Sequence, residues 1–213
     1  IHVSDTDKQI LLKYISEMDK LYNPEGKMIT QVLEGWNYHT DAESGTFHDV
    51  RSSFRYAVAL LDCGVKEYKQ RALDVIEKTI SLQDTVSKSR SCGVWPYFEE
   101  EPLATKKSPI DYNWADFNAV ALLDIYMGHK DKLPAELLKK IENSIILAAH
   151  AIRKRNCGPS YTNIAIMGTY ITFVTSHLFN IPEMQDYAKK RLKTFYDYTQ
   201  EKNGFSEYNS PTY

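Results

Sequence analysis

Two kinds of helix alternate along this chain, and the alternation limits the folds that it can adopt. The stretches FRYAVALLDCG, FNAVALLDIYMG and NIAIMGTYITFVTSHLF are apolar nearly all round, which is typical of helices buried on most sides. Each is followed by a segment with one apolar stripe and a Lys/Glu face: KEYKQRALDVIEKTISLQ, AELLKKIENSIILAAHAIRKR and PEMQDYAKKRLKTFYDY. This order predicts helical hairpins, each with a buried inner member and an amphipathic outer member.

The apolar periodicity predicts an all-α chain of about seven helices. MITQVL (28–33) is interpreted as a short strand or a turn. The inner helices begin near 50, 114 and 162, an irregular spacing that a repeat array of about 34–47 residues does not tolerate. We therefore expect one domain, residues 1–213, forming part of an (α/α) toroid. The predicted helices span 5–22, 50–63, 66–83, 114–128, 134–154, 162–179 and 183–200.

Composition argues against several classes of partner and site. A formal net charge of −2 gives no basic field, so nucleic acid is not expected as a partner. No stretch approaches the roughly 18 apolar residues of a membrane span. Three widely spaced cysteines without a CxxC pair predict neither a disulfide framework nor a zinc site, and neither a metal nor a cofactor is expected. IHVSDTDKQ lacks an initiator Met and an apolar signal segment, as in a secreted or periplasmic chain whose leader has been removed.

The chemically unusual residues fall on alternate connections. Every second connection between antiparallel helices lies at the same end of the bundle. The connections that enter inner helices, together with the first residues of those helices, contain all three tryptophans and most Asn/Tyr clusters. The other connections, DCGVK, MGHKDKLP and FNIP, are short and plain. One end of the molecule is therefore the predicted site. The unusual connections are 35–50, 84–113, 155–161 and the closing stretch 201–213.

This end should attract anions. The N-termini of the inner helices carry unpaired N–H groups and the positive ends of helix dipoles. Arg51 and Arg55 lie one turn apart at the start of the first inner helix, and Arg155 borders the third. The alternative is that these arginines form salt bridges with Asp49, Asp62 or the acidic run FEEEP.

Four blocks of sequence resemble a known family. GVWPYFEEEP, DYNWADFNAVALLDIY, YTNIAIMGTYIT and GFSEYNSPTY are similar to signature blocks of bacterial (α/α)-toroid carbohydrate-active enzymes. The resemblance covers about residues 48–213 and is greatest to the polysaccharide-lyase branch, including enzymes that cleave rhamnosyl-glucuronate linkages. A full toroid in this family has more hairpins than this chain supplies. The resemblance therefore implies a domain that is incomplete at the C-terminus, with NSPTY leading into a further inner helix.

Such an enzyme would act on an acidic oligo- or polysaccharide by elimination. A neutralising group must relieve the charge of the uronate carboxylate before a base removes the adjacent proton. Asn163, Asn118 and Arg51 are candidate neutralisers, with Asn163 preferred, although Asn at a helix start also serves as an N-cap. The candidates for base or acid are His48, Tyr208 and Tyr213.

Hydrolysis by the same fold is the alternative. It needs two carboxylates, about 5–5.5 Å apart for retention or about 6.5–9.5 Å apart for inversion. Asp116 and Glu207 are the natural pair, with Asp49 and Asp111 in reserve. Catalytically silent glycan binding is a third possibility. Elimination is preferred because it uses the acidic group that the arginines would attract. The predicted stacking platforms are Trp95, Tyr97 and Trp114, and the other predicted substrate contacts are Asn118, Arg51, Arg55, Tyr161, Asn209 and Tyr213.

Overall fold

The computed structural model describes residues 4–35 and 40–207. These residues form seven α-helices, so the predicted mainly-α fold is confirmed. The helices are α1 (Asp5–Asp19), α2 (Val50–Asp62), α3 (Lys69–Ile80), α4 (Asn113–His129), α5 (Ala135–Arg155), α6 (Thr162–Leu178) and α7 (Pro182–Lys202). Two short 3-10 helices, Lys66–Tyr68 and Lys130–Lys132, lie in the connections before α3 and α5.

A small antiparallel sheet of three short strands accompanies the helices. It consists of β1 (Tyr22–Asn23), β2 (Met28–Glu34) and β3 (Ser44–Asp49), in that order. β2 contains the MITQVL segment that was interpreted as a strand or a turn, whereas β3 was not predicted. The register pairs Ile29 with Asp49, and this end of β3 leads directly into α2.

The helices pair as the sequence predicted. α2 packs on α3, α4 on α5 and α6 on α7, and the hairpins follow one another in chain order. The inner helix α4 contacts both α2 and α6, and it buries side chains all round, including Ala119, Leu122 and Ile125. The three inner helices therefore lie side by side, the arrangement expected of one part of a toroid.

The long connection between α3 and α4 is packed on the hairpins. Trp95 is completely buried, and its indole Nε1 donates a hydrogen bond of 3.1 Å to the Thr79 carbonyl. Gly93 has a φ of +91°, and a Cβ at this position would lie 2.3 Å from the Leu147 carbonyl oxygen. Gln83 donates to the carbonyl oxygens of Gly93 and Ser144. These contacts fix the connection against α3 and α5.

Candidate functional site

The unusual connections meet at one end of the helices, as hairpin parity predicted. The Val50 N–H, at the start of α2, donates to the Tyr97 carbonyl at 3.2 Å. The Tyr97 ring stacks on Trp114 in the first turn of α4, with centroids 4.8 Å apart. The long connection therefore joins the N-terminal ends of α2 and α4.

A second set of contacts extends this end to α6. The Asn113 Nδ2 donates to the Tyr161 hydroxyl at 3.3 Å, and Arg155 donates to the Asn113 Oδ1. The Thr162 N–H, in the first turn of α6, donates to Glu207 Oε1 at 3.2 Å. Tyr161 and Glu207, both predicted site residues, are thus brought together beside the N-terminus of α6.

Arg51 occupies an aromatic setting at the start of α2. Its guanidinium lies 3.8 Å from the Phe117 ring centroid and 5.8 Å from that of Trp114, within the range of a cation–π interaction. Burial and the neighbouring charge of Arg55 lower the pKa of Arg51, while Asp49 acts in the opposite direction. Arg55 is exposed one turn further along α2.

In the described part of the chain, neither Arg51 nor Arg55 forms an ion pair. The acids that could have neutralised them bond elsewhere. Asp49 caps α2 through the Ser52 N–H, Asp62 bonds to His129, Glu99 to Lys78, Glu100 to His48 and Glu101 to Thr40. The alternative of salt bridges to these acids is therefore wrong for both arginines.

The predicted stacking platforms pack on protein. Trp95 lies in the core, edge-on to Phe54 with centroids 5.7 Å apart, so its ring faces are covered. Trp114 is 5% exposed between Tyr97 and Phe117. The physical reason is that the Trp-Pro segment folds over the ends of α2 and α3, where large aromatic side chains bury most apolar area. In this arrangement the rings hold the loops rather than face solvent.

His48 is enclosed at the end of β3. Its Nδ1 lies 2.6 Å from Glu100 Oε1, and a Cβ on Gly26 would lie only 2.4 Å from its Nε2. That Nε2 is buried, without a hydrogen-bond partner among the described residues. His48 is thus held between the β1–β2 turn and the long connection, with its side chain about one-fifth exposed.

Asn163 is exposed in the first turn of α6. The N-cap of this helix is Tyr161, so the alternative reading of Asn163 as the N-cap is wrong. Its amide lies at the end of α6 where the site residues Tyr161 and Glu207 meet. Asn118 is instead completely buried, and neither amide atom has a hydrogen-bond partner among the described residues.

Asp116 is buried between α4, α6 and α7. It is 1% exposed, and its Oδ1 has no hydrogen-bond partner among the described residues. Burial raises the pKa of Asp116 to about 7, against the opposing effect of Arg155 and Arg191. A Cβ on Gly168 would lie 3.0 Å from Asp116 Oδ1 and 3.1 Å from Arg191 Nη2. The absence of a side chain at Gly168 leaves the room that these two groups occupy.

Arg191 is a buried charge that the sequence reasoning missed. It is 7% exposed and donates to the Tyr187 hydroxyl at 3.1 Å. The available signal was its position on α7, where it interrupts the buried stripe formed by Met184, Ala188 and Phe195. A basic residue in an apolar stripe predicts a buried partner on the facing helix. Tyr208, Asn209 and Tyr213, also predicted site residues, lie outside the described residues.

The family assignment comes from a match over almost the whole chain. The family described as Domain of unknown function (DUF8769) matches residues 8–213. The chain belongs to this family. The matched range includes most of α1 and all later helices. No curated protein and no solved structure matches the chain.

The described residues contain neither a membrane-spanning helix nor a cluster of metal-binding side chains. Over residues 4–35 and 40–207, no helix is long and apolar enough to cross a membrane. In the same ranges, no group of three or more His, Cys, Asp or Glu side chains is placed to hold a metal ion.

Proposed function

We propose that this chain acts on a uronic-acid-containing oligo- or polysaccharide, as a lyase-like enzyme that cleaves by proton abstraction and elimination. The observation that carries the proposal is the pair Arg51 and Arg55. Both lie in the first turns of an inner helix, at the end where the unusual connections meet. Among the described residues no carboxylate forms an ion pair with either one.

The arginine pair supports an acidic ligand on electrostatic grounds. Like charges one helical turn apart destabilise each other, and Arg55 contributes to the lowered pKa of Arg51. A bound carboxylate would relieve this repulsion and can accept two parallel hydrogen bonds from a guanidinium. Because Arg51 stacks on Phe117, its donors are already oriented before a ligand arrives.

Elimination would use the same carboxylate that the arginines bind. Neutralising its charge acidifies the neighbouring C–H; a base then takes the proton, the electrons form a C=C bond and the glycosidic oxygen leaves. Asn163 is the exposed amide available to bond the carboxylate on the α6 side. Burial and the charge of Asp49 raise the pKa of Tyr97, so this phenol is a poor base near neutral pH. Tyr208 and Tyr213 remain candidate bases.

One observation supports hydrolysis as a second candidate. A carboxyl with a pKa of about 7, as in Asp116, is protonated at a pH where a general acid must donate. Glu207 would then be its partner. Against this candidate, Asp116 is 1% exposed and its carboxyl lies against Gly168 and Arg191, where a glycan does not reach it without movement of α6 or α7.

The test is to incubate the full-length protein with uronate-containing oligosaccharides and follow the ultraviolet absorbance of an unsaturated uronate. We expect the absorbance to rise, and the double variant Arg51→Gln/Arg55→Gln to lower kcat/KM by about 100-fold, since two charge-assisted hydrogen bonds are lost. The matched control, Lys66→Gln/Lys69→Gln, removes two exposed charges at the opposite end and should leave turnover unchanged.

Each other outcome assigns a different function. Cleavage without the new double bond means hydrolysis and overturns the lyase proposal. Binding that depends on Arg51 and Arg55 without any cleavage indicates a glycan-binding protein. Equal activity in the arginine variant and the lysine control would show that the arginine pair is not the site.

A further inference from the structure

A cavity that neither Arg51 nor Arg55 lines lies at the end of α5, beside the start of α4. Its volume is about 310 Å³, and it opens between the long α3–α4 connection and the last turn of α5. Arg90 and Tyr112 line it from the connection, and Ala151, Lys154 and Arg155 line it from α5. Three cations and one phenol surround this space, and no carboxylate is among the lining residues. These five residues are called the cation cavity below.

Within the described residues, no cation of the cavity forms an ion pair with a carboxylate. Among the described residues, Arg90 and Lys154 take part in no ion pair. Arg155 bonds to the neutral amide of Asn113. Two acids lie nearby. Asp116 has a pKa of about 7 and supplies only part of a negative charge near neutral pH, and the Asp84 carboxylate accepts hydrogen bonds from Ser89 and Ser91.

Helix geometry alone explains two of the three charges. Basic residues are favoured in the last turn of a helix, because they face the negative end of its dipole. Lys154 and Arg155 fit this rule. Arg90 does not, since it belongs to a different segment, 65 residues before the end of α5 along the chain. Its arrival beside two cations costs repulsion that an anionic ligand would remove.

The loop that carries Arg90 is held in one conformation by hydrogen bonds to the Asp84 carboxylate. The hydroxyls on either side of Arg90, Ser89 Oγ and Ser91 Oγ, donate to Asp84 Oδ2 at 2.5 and 2.6 Å. The Val86 N–H donates to Asp84 Oδ1 at 2.9 Å. All three bonds converge on one carboxylate, so the backbone at Arg90 is ordered without any use of its own side chain.

Two backbone hydrogen bonds close the same loop. The Gly93 N–H donates to the Asp84 carbonyl at 2.7 Å, and the Asp84 N–H donates to the Val94 carbonyl at 2.9 Å. Because Gly93 is itself packed on Leu147 of α5, the closed loop is fixed relative to the helix that supplies Lys154. On the α5 side, Ala151 leaves an opening one turn before the two basic residues.

We propose that the cation cavity binds a tetrahedral oxyanion, as a phosphate or sulfate group of a ligand. Three cations match a doubly charged anion better than a single carboxylate, and Arg90 and Arg155 offer planar donor forks for its oxygens. The Tyr112 hydroxyl can donate a further bond. The site is separate from the arginine pair on α2 and does not depend on the proposed lyase activity.

The test is isothermal titration calorimetry, in which the heat of binding is measured for sodium sulfate and for sodium phosphate. Each titration is compared with sodium chloride at equal ionic strength. We expect saturable binding of sulfate or phosphate and none of chloride. Arg90→Gln and Lys154→Gln should each weaken binding by about fivefold to tenfold, since each removes one charge-assisted contact from a partly exposed site. Lys139→Gln removes an exposed charge from the same helix α5 and is the matched control.

The variant Asp84→Ala distinguishes a preorganised binding site from general electrostatic attraction. This variant removes a negative charge near the cavity, so attraction by net charge alone predicts tighter binding. Loss of the bonds that order Arg90 predicts weaker binding, and this is the expected result. Tighter binding by Asp84→Ala would overturn the proposal, as would chloride competition equal to that of sulfate. Identical affinity of Arg90→Gln and Lys139→Gln would also overturn it.

Discussion

Gly93 shows how strongly a single backbone position can constrain the long connection. Its φ of +91° is unfavourable for any residue with a Cβ, and such a Cβ would lie 2.3 Å from the Leu147 carbonyl oxygen. The neighbouring group is helix backbone, which cannot turn aside as a flexible side chain can. Both the conformation and the close approach therefore require glycine at this position.

Gly93→Ala should lower the free energy of unfolding by about 3 kcal/mol, the sum of a left-handed conformation and overpacking. Gly64→Ala is the matched control, because Gly64 has a φ of +69° with nothing within 4 Å of an added Cβ. The control should lose only about 1 kcal/mol. Urea unfolding of both variants measures the difference, and equal losses would contradict the close approach of the connection to α5.

Asp116 makes stability depend on pH in a direction opposite to that of a salt-bridged acid. Burial raises its pKa from 3.8 to about 7, so the folded chain keeps a proton that the unfolded chain releases. Between these values the unfolded state binds fewer protons, and the free energy of unfolding falls as pH rises. The contribution is fully present below about pH 4 and is lost by the time pH passes 7.

Asp116→Asn should abolish this part of the pH dependence. The free energy of unfolding of the variant, minus that of the wild type, should increase on the order of 2 kcal/mol between pH 5 and pH 8. Asp131→Asn removes a carboxyl from an exposed position before α5 and is the matched control. Denaturant titrations at several pH values provide the measurement, and a flat difference for Asp116→Asn would show that its carboxyl titrates normally.

The helices, as elements, were predictable because their pattern is local. Residues three and four apart report the buried face of a helix, and α4 and α6 are apolar enough to be recognised as inner members without knowledge of their neighbours. β3 was missed for the opposite reason. Most of Ser44–Asp49 is exposed or half-buried, with little alternation, and the strand exists because β2 and Phe98 pair with it.

The candidate site was predictable in position but not in detail. Hairpin parity correctly placed the connections at one end. Hairpin parity did not predict that Trp95 would enter the core or that His48 would lie between Gly26 and Glu100. Both outcomes depend on side-chain contacts between segments about 20 to 50 residues apart. Arg191 was missed because the predicted site residues lie in the connections and near the starts of the inner helices, whereas this arginine lies in the middle of the outer helix α7.

The whole molecule is a series of hairpins with unequal surroundings. α4–α5 is covered on both sides, by α2–α3 and by α6–α7. The outer side of α6–α7 carries a groove of about 390 Å³ lined mostly by apolar side chains. Exposed apolar side chains at this groove are Ile166, Tyr170, Phe173, Leu192 and Tyr196.

Local stability should be higher in the covered hairpin α4–α5 than in α6–α7. We expect backbone amides of α4 to exchange with deuterium at least tenfold more slowly than those of α6 and α7, because a hairpin buried on both sides opens only with the whole fold. Hydrogen–deuterium exchange followed by mass spectrometry provides the comparison within one sample. Slower exchange in α7 than in α4 would mean that the groove is covered in solution.

One edge of β3 stays unpaired for a time while the protein is being synthesised. β2 can pair with β3 as soon as both leave the ribosome, but the opposite edge of β3 is completed by the Glu99 N–H bond to the His48 carbonyl and by Phe98 beside Asp49. Synthesis of the roughly 50 intervening residues takes about 3–10 s at common translation rates. During that interval the nascent chain carries an open strand edge, a surface on which chaperones and neighbouring nascent chains can act.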